Sequence, residues 1–220
     1  MNQDRVYARN LAMQFRNAGK PMEWFEVLYA QGKDGKAVIP WAEMSPNPNL
    51  IQWLDAQQIR GEGKTALTVG CGLGDDVEEL SWRGFHVVGF DISASAIEWC
   101  KNRFPNSNAQ YIAADVLNTP ESWNQGFDLV LESYTLQALP RSLREKAIEK
   151  IANFVAFGGQ LLVICRGRDV EEDAGEIPEP LTRDEVMKFV DLGLLLESFE
   201  DYLDDESPPV RRFRIEFKKV

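Results

Sequence analysis

A chain of 220 residues with 44% hydrophobic and 27% charged side chains is long enough for one sizeable core and ordinary in composition for a soluble domain. Its 35 acidic and 24 basic residues give a formal net charge of −11, a sign that repels phosphate backbones and anionic lipid, so neither nucleic-acid nor membrane partners are expected. No apolar run approaches the roughly 20 residues that span a bilayer, and the start MNQDRVYARN lacks the apolar centre of a signal peptide, which makes a cytoplasmic protein the expectation.

The first sixty residues carry Trp24, Phe25, Tyr29, Trp41 and Trp53, interrupted by Gly32, Gly35, Pro40, Pro46 and Pro48. This pattern predicts two or three helical stretches joined by a loop and packed as a lid over the main sheet. From Thr65 onward, short apolar runs alternate with helix-like segments, the signature of βαβ units and a parallel sheet. The first run is Thr65–Val69, ending in Gly70-Cys71-Gly72-Leu73-Gly74. A helix is predicted from about Asp75 to Arg83, closed by Gly84. The second run, His86–Asp91, is followed by a helix capped by Ser93 and running to about Asn102. A third run, Gln110–Asp115, also ends on an acid, and Phe127–Glu132 is the fourth.

Leu143, Ala147, Ile148, Ile151 and Val155 recur on one helical face, and Gly158-Gly159 is read as the end of that helix. Gln160–Cys165 is the fifth strand, followed by an acidic loop from Arg166 to Pro180. Thr182 and Glu185 have capping-box spacing for a helix to about Asp191. Two last strands, near Leu194–Leu203 and Val210–Lys218, are separated by a short Pro-rich connection that suits an antiparallel hairpin. The prediction is therefore an α/β, Rossmann-like sheet of seven strands, five parallel plus a C-terminal antiparallel hairpin. Helices cover both faces, and residues 1–60 form the lid on a cofactor-binding domain of residues 61–220, all within a single structural domain. The basic residues Arg211, Arg212, Arg214, Lys218 and Lys219 alternate with Val210, Phe213, Ile215 and Phe217, which reads as the outer face of the last strand.

Three separated cysteines (Cys71, Cys100, Cys165) and a lone His86 offer no metal-binding spacing and no Ser-His-Asp triad, so no metal is expected. Candidate chemistry lies instead at the strand ends, where open parallel sheets bind ligands. Gly70, Gly72 and Gly74 allow a tight turn and close approach of a ligand. A dinucleotide fingerprint would need glycine at position 75 or 77, which hold Asp75 and Val77. Asp75 and Asp76 at the start of the following helix would also repel a pyrophosphate there. A cofactor with no phosphate and a positive sulfonium, S-adenosylmethionine (SAM), meets neither objection, whereas a nicotinamide dinucleotide meets both.

Asp91, 21 residues after Gly70, stands where a carboxylate accepts from both ribose hydroxyls, or where it caps the next turn. Asp115 is placed for the adenine amine, with Ile92 and Val116 bracketing the ring; a cap is its other reading. Glu132 ends the fourth strand beside the expected methionine moiety, where it could hold the α-ammonium, face the acceptor, or serve as a structural hydrogen-bonding group.

The run VGCGLGDD…RGFHVVGFDIS resembles the class I SAM-dependent methyltransferases, and within them the thiopurine S-methyltransferase and halide/thiol methyltransferase group. The similarity covers roughly residues 20–165. That resemblance implies transfer of a methyl group to a small molecule, with S-adenosyl-L-homocysteine as product and a monomer or homodimer as the working form. It also implies that Trp24 and the Pro40-Trp41 step close over the cofactor, and that Tyr134, in Leu131-Glu-Ser-Tyr-Thr-Leu136, occupies the group's aromatic strand-end position. Tyr29 stands where the group has a second lid tryptophan, and Thr68 where the wider class often has an acid. A soft anionic acceptor (thiolate or halide) needs no general base. A neutral oxygen or nitrogen acceptor would call on Glu132 or a Tyr134-linked network. Arg166 and Arg168 could meet an acidic acceptor or pair with the loop Asp169–Glu172. The rival of another class is a module that binds SAM without turnover.

Overall fold

The computed structural model describes residues 3–220; the first two positions of the lid segment lie outside the described residues. Three helices come first: α1 (Gln3–Asn17), α2 (Glu23–Lys33) and α3 (Pro48–Ala56). The alternating part continues as β1 (Thr65–Val69), α4 (Asp75–Trp82), β2 (His86–Asp91), α5 (Ala94–Arg103), β3 (Gln110–Ala113) and β4 (Phe127–Ser133). Then come α6 (Arg141–Phe154), β5 (Val155–Arg168), β6 (Leu181–Thr182), α7 (Arg183–Asp191), β7 (Leu194–Leu203) and β8 (Arg211–Lys219). The sheet runs β3-β2-β1-β4-β5-β8-β7, parallel through β5 and antiparallel at β8 and β7. An eighth strand, the two-residue β6, pairs with β5 off this path and is the one addition to the seven expected.

The parallel order reverses on either side of β1, which opens a crevice beyond the C-terminal ends of β1, β2 and β4. Alternation of side chains sends Leu67 and Val69 of β1 to one face and Ala66 to the other. On the first face α6 and α7 pack Ala147, Ile148, Ile151, Val186 and Phe189 against the sheet. On the second, α3, α4 and α5 supply Leu50, Trp53, Leu80, Ile97 and Cys100. α3 thus belongs to the main core, while α1 and α2 form a smaller cluster of their own around Trp24, Leu28 and Tyr29, closed from below by Leu73 and Ala96.

Local signals explain most boundaries. Ser93 Oγ accepts from the Ala96 N–H at 3.0 Å, and Thr182 and Glu185 form the reciprocal capping box expected for α7. Two readings are corrected. Val155 begins β5 instead of ending α6, opposite Phe127. The register then jumps so that Leu129 faces Gln160, and Gly158, at φ +77°, lies in the bulge that absorbs the extra residues. The last strand's basic residues do not form an outer face either. Arg212 and Arg214 are buried because the N-terminal segment covers that side of the hairpin, where Arg214 donates to the Asn49 carbonyl at 3.1 Å and to Gln52 at 2.8 Å.

Candidate cofactor and acceptor site

The turn after β1 depends on backbone shapes that side chains oppose. Gly70 has φ +60°, and a Cβ there would stand 2.3 Å from Thr135 Oγ1, the hydroxyl that donates to the Val69 carbonyl at 3.0 Å. Cys71 donates its N–H to the Phe90 carbonyl at 2.8 Å, and Gly72 donates to Asp91 Oδ2 at 3.0 Å. The other oxygen of Asp91 accepts from the Ser93 N–H at 2.9 Å. Asp91 is therefore both a turn-holding carboxylate and a wall of the cavity, with lone pairs left over for a diol. Burial pushes its pKa up to about 6, against the pull of these backbone bonds.

A cavity of about 1190 Å³ opens here. Gly70, Cys71, Gly72, Asp91, Ile92, Asp115 and Val116 line it together, as do Trp24, Trp41 and Tyr134. Gly74 lies behind this wall as the N-cap of α4, in the left-handed conformation at φ +87°. Asp115 accepts from the Leu117 N–H at 2.9 Å and is otherwise open to the cavity.

The N-terminal helix α2 is anchored on the start of α5. Glu26 of α2 accepts from the hydroxyls of Ser93 at 2.7 Å and Ser95 at 2.6 Å. Burial alone would raise its pKa, but these serine bonds outweigh it and hold the carboxyl below its ordinary value. Trp24 stacks on Phe25 at 4.0 Å and meets Trp41 edge-on at 5.9 Å, while Trp41 donates its indole N–H to Tyr29 Oη at 2.9 Å. The indole N–H of Trp24 is buried on the cavity wall and has no acceptor among the described residues. An orphaned buried donor in a ligand-sized hollow is what a site awaiting an acceptor group looks like.

Two expectations change. Glu132 does not reach the cavity. It is fully buried, and its Oε1 accepts from the Thr135 and Leu136 N–H groups, both at 2.8 Å, because the chain turns sharply there and strands those donors. Burial raises its pKa to about 7, opposed by those two bonds. The repulsion expected from Asp75 is also muted, because Arg103 grips that carboxylate through two bonds at 2.7 and 2.9 Å. Asp76 accepts from the Asn47 N–H at 2.7 Å, and burial raises its pKa to about 6.

Asn47 was invisible in the sequence, with only its Pro48 helix start as a hint. It joins three elements, giving its N–H to Asp76, its amide to Ser133 Oγ at 3.0 Å and a side-chain bond to the Tyr134 phenol. Tyr134 sits at φ +60° with its ring 5.3 Å beneath the Arg212 guanidinium. Burial raises its pKa to about 12, with Arg212 pulling the other way. No lysine or histidine lines the cavity among the described residues. None of their helices is long and apolar enough to cross a membrane.

Residues 66–159 match a family model described as a methyltransferase domain. The 2-heptyl-1-hydroxyquinolin-4(1H)-one methyltransferase of Mycobacteroides abscessus is 23% identical over 154 residues, 69% of this chain and 66% of that protein. A probable thiol methyltransferase 2 of Arabidopsis thaliana is 26% identical over 167 residues, 74% of this chain and 71% of its own. The chain therefore spans just under two thirds of the first of these relatives. Among solved structures, the 1,6-didemethyltoxoflavin-N1-methyltransferase of Burkholderia thailandensis, bound to 1,6-didemethyltoxoflavin and S-adenosylhomocysteine, superposes with a TM-score of 0.68. It covers 99% of this chain and 90% of its own at 14% identity. The strand order and these similarities agree on the fold, which is that of the class I SAM-dependent methyltransferases, and residues 66–159 match the methyltransferase-domain model within it.

Proposed function

We propose that this chain transfers the methyl group of SAM to a small-molecule acceptor held beneath the N-terminal lid, beyond the C-terminal ends of β4 and β5 and the N-terminal end of β8. The observation that carries this reading is the extent of the cavity. It is continuous from Asp91 and Asp115 to Tyr134 and Arg212, and at about 1190 Å³ it exceeds the roughly 300–1,000 Å³ of a pocket for one drug-sized ligand. Two molecules can lie in it side by side.

Asp91 would accept from the ribose, Asp115 from the adenine, and Ile92 and Val116 would flank the ring. The free indole N–H of Trp24 would donate to a carboxylate or hydroxyl of the bound cofactor. Bound there, SAM supplies an electrophilic methyl group on a positive sulfonium. The protein's part is alignment and exclusion of water, for which Trp24, Phe25 and Trp41 form a cover and the glycine turn a floor.

The acceptor that fits best is a soft nucleophile, a thiolate or halide, as in the thiopurine and halide/thiol methyltransferase group. Tyr134, with a pKa near 12, stays protonated at neutral pH, and Glu132 is turned away. Glu200, Asp204 and Glu206 are each engaged by an arginine of β8. An acceptor that arrives already ionised needs no base from this wall. Incubation with methyl-labelled SAM and a panel of thiols, halides, phenols and amines tests the reading. Label is expected on thiols or halides. Label on phenols or amines alone overturns the soft-nucleophile assignment, and S-adenosylhomocysteine binding with no transfer to any acceptor makes the chain a binding module.

A further inference from the structure

β5 and β8 run antiparallel with Arg166 directly opposite Arg212, and both side chains line the cavity. Like charges facing each other across a strand pair repel. Arg212 is compensated by Asp204 at 2.6 Å, by Glu206 and by the Tyr134 ring. Arg214 is compensated by Glu200, and Arg9 by Glu176 at 3.7 Å. Arg168, two residues further along β5, turns to the carbonyls of Pro180, Asp169 and Glu172 at 3.0 to 3.1 Å.

Among the cavity arginines that are not fully exposed, Arg166 is the exception. No carboxylate of the described residues comes within 4.0 Å of its guanidinium, although the chain carries eleven more acids than bases. Burial, Arg212 and then Arg5 work against its charge and outweigh the longer-range pull of Glu206 and Tyr134. Its main chain is fixed at the cavity wall, since its backbone N–H donates to Oε1 of the buried Gln137 at 2.8 Å. A half-buried cation beside two others, with no carboxylate in contact, is costly unless a ligand supplies the anion. The cofactor's nucleoside contacts are assigned to the ends of β2 and β3, while Arg166 lies among the last residues of β5, on the opposite side of β4. The anion therefore belongs to the second molecule in the cavity.

We propose that the methyl acceptor carries an oxyanion, a carboxylate or a phosphate, anchored on Arg166 with Arg212 and Arg5 beside it. The nucleophilic atom would then lie between that anchor and the glycine turn. A planar guanidinium takes either group through paired hydrogen bonds, a geometry that lysine cannot reproduce. The inference rests on the methyltransferase reading above and narrows its soft acceptors to thiolates that bear an oxyanion, since a halide ion carries no second group.

Calorimetry on the full chain tests it in two steps. S-adenosylhomocysteine is titrated first into wild type, Arg166→Gln and Arg166→Lys. Benzoate, phenyl phosphate and the neutral benzyl alcohol are then titrated into each complex. S-adenosylhomocysteine affinity is expected to agree within twofold across the three proteins, which also shows that the variants fold. Benzoate or phenyl phosphate should bind the wild-type complex, at least tenfold more weakly with Arg166→Gln and at an intermediate level with Arg166→Lys. Benzyl alcohol should bind none of them. The stronger of the two anions identifies the group. Equal anion affinity in wild type and Arg166→Gln, or no anion binding at all, overturns the proposal. So does parallel loss of S-adenosylhomocysteine binding in Arg166→Gln, because the anion would then be the cofactor's own carboxylate. Failure of wild type to bind S-adenosylhomocysteine is a separate result and defeats the methyltransferase reading itself.

Discussion

Gly72 donates its backbone N–H to the Asp91 carboxylate across 3.0 Å, so the turn after β1 and the end of β2 move as one unit. The carboxylate takes a second N–H from Ser93, and Asp91 lines the cavity where the proposed ribose would need an acceptor. Asp91→Ala removes the acceptor and strands two backbone donors. Hydrogen bonds to a charged group contribute about 1.5–3 kcal/mol each, so S-adenosylhomocysteine affinity should fall at least tenfold by calorimetry. The melting temperature should fall with it. Unchanged affinity would remove Asp91 from the cofactor site.

Trp24→Phe separates binding from stability. The indole N–H it deletes is buried and unpartnered, and an unsatisfied buried donor costs about 1–3 kcal/mol. The smaller ring gives up some packing against Phe25 and Trp41, so the ligand-free melting temperature should stay within a few degrees of wild type. S-adenosylhomocysteine affinity should drop severalfold if the indole donates to the cofactor. A large loss of stability with unchanged affinity would make Trp24 a packing residue alone.

The framework was legible in the sequence because its signals are local. The glycine turn, the Ser93 and Thr182 caps and the apolar runs of β1, β2 and β4 each declare themselves within a few residues. What was hidden depends on partners far along the chain. Asp75 reads as a free negative charge until Arg103 is seen to hold it. Arg212 and Arg214 read as an outer face until the N-terminal segment is seen to cover the hairpin. Glu132 stands at the right strand end for a site residue, yet the turn just beyond it consumes its oxygen. Val155 continues the helical spacing of Ile148 and Ile151, so periodicity extends α6 into what is already strand.

Glu132 should leave a signature in the pH dependence of stability. Its folded pKa of about 7 lies above the ordinary carboxylate value of 4.5, so in that interval the unfolded chain has released a proton that the folded chain retains. Stability contributed by this group is therefore full below about pH 4.5, declines as pH rises toward 7, and is flat above. Glu132→Gln keeps an acceptor for Thr135 and Leu136 and removes the titration. The stability of Glu132→Gln relative to wild type should rise on the order of 2 kcal/mol between pH 5 and pH 8, at about 1.4 kcal/mol per unit. Urea unfolding at several pH values measures it. A difference that does not vary with pH would show that the carboxyl titrates at its ordinary value.

Tyr134→Phe decides whether the protein supplies a base. The substitution keeps the aromatic ring beneath Arg212 and deletes only the hydroxyl bound by Asn47. A positioned general base contributes roughly 10²–10⁴-fold to a rate, so loss of a true base would be conspicuous in kcat. With an acceptor that is already ionised, kcat should fall less than about tenfold, the scale of one neutral hydrogen bond. The pH profile gives an independent reading. For a series of thiols, the rise of kcat/KM should follow the ionisation of each thiol and keep the same shape in wild type and Tyr134→Phe. Burial places the phenol near 12, outside that range, so no limb of the profile should belong to it. A thousandfold loss in Tyr134→Phe, or a profile that stays fixed as the thiol pKa changes, would assign the proton to Tyr134 and point to a neutral oxygen or nitrogen acceptor.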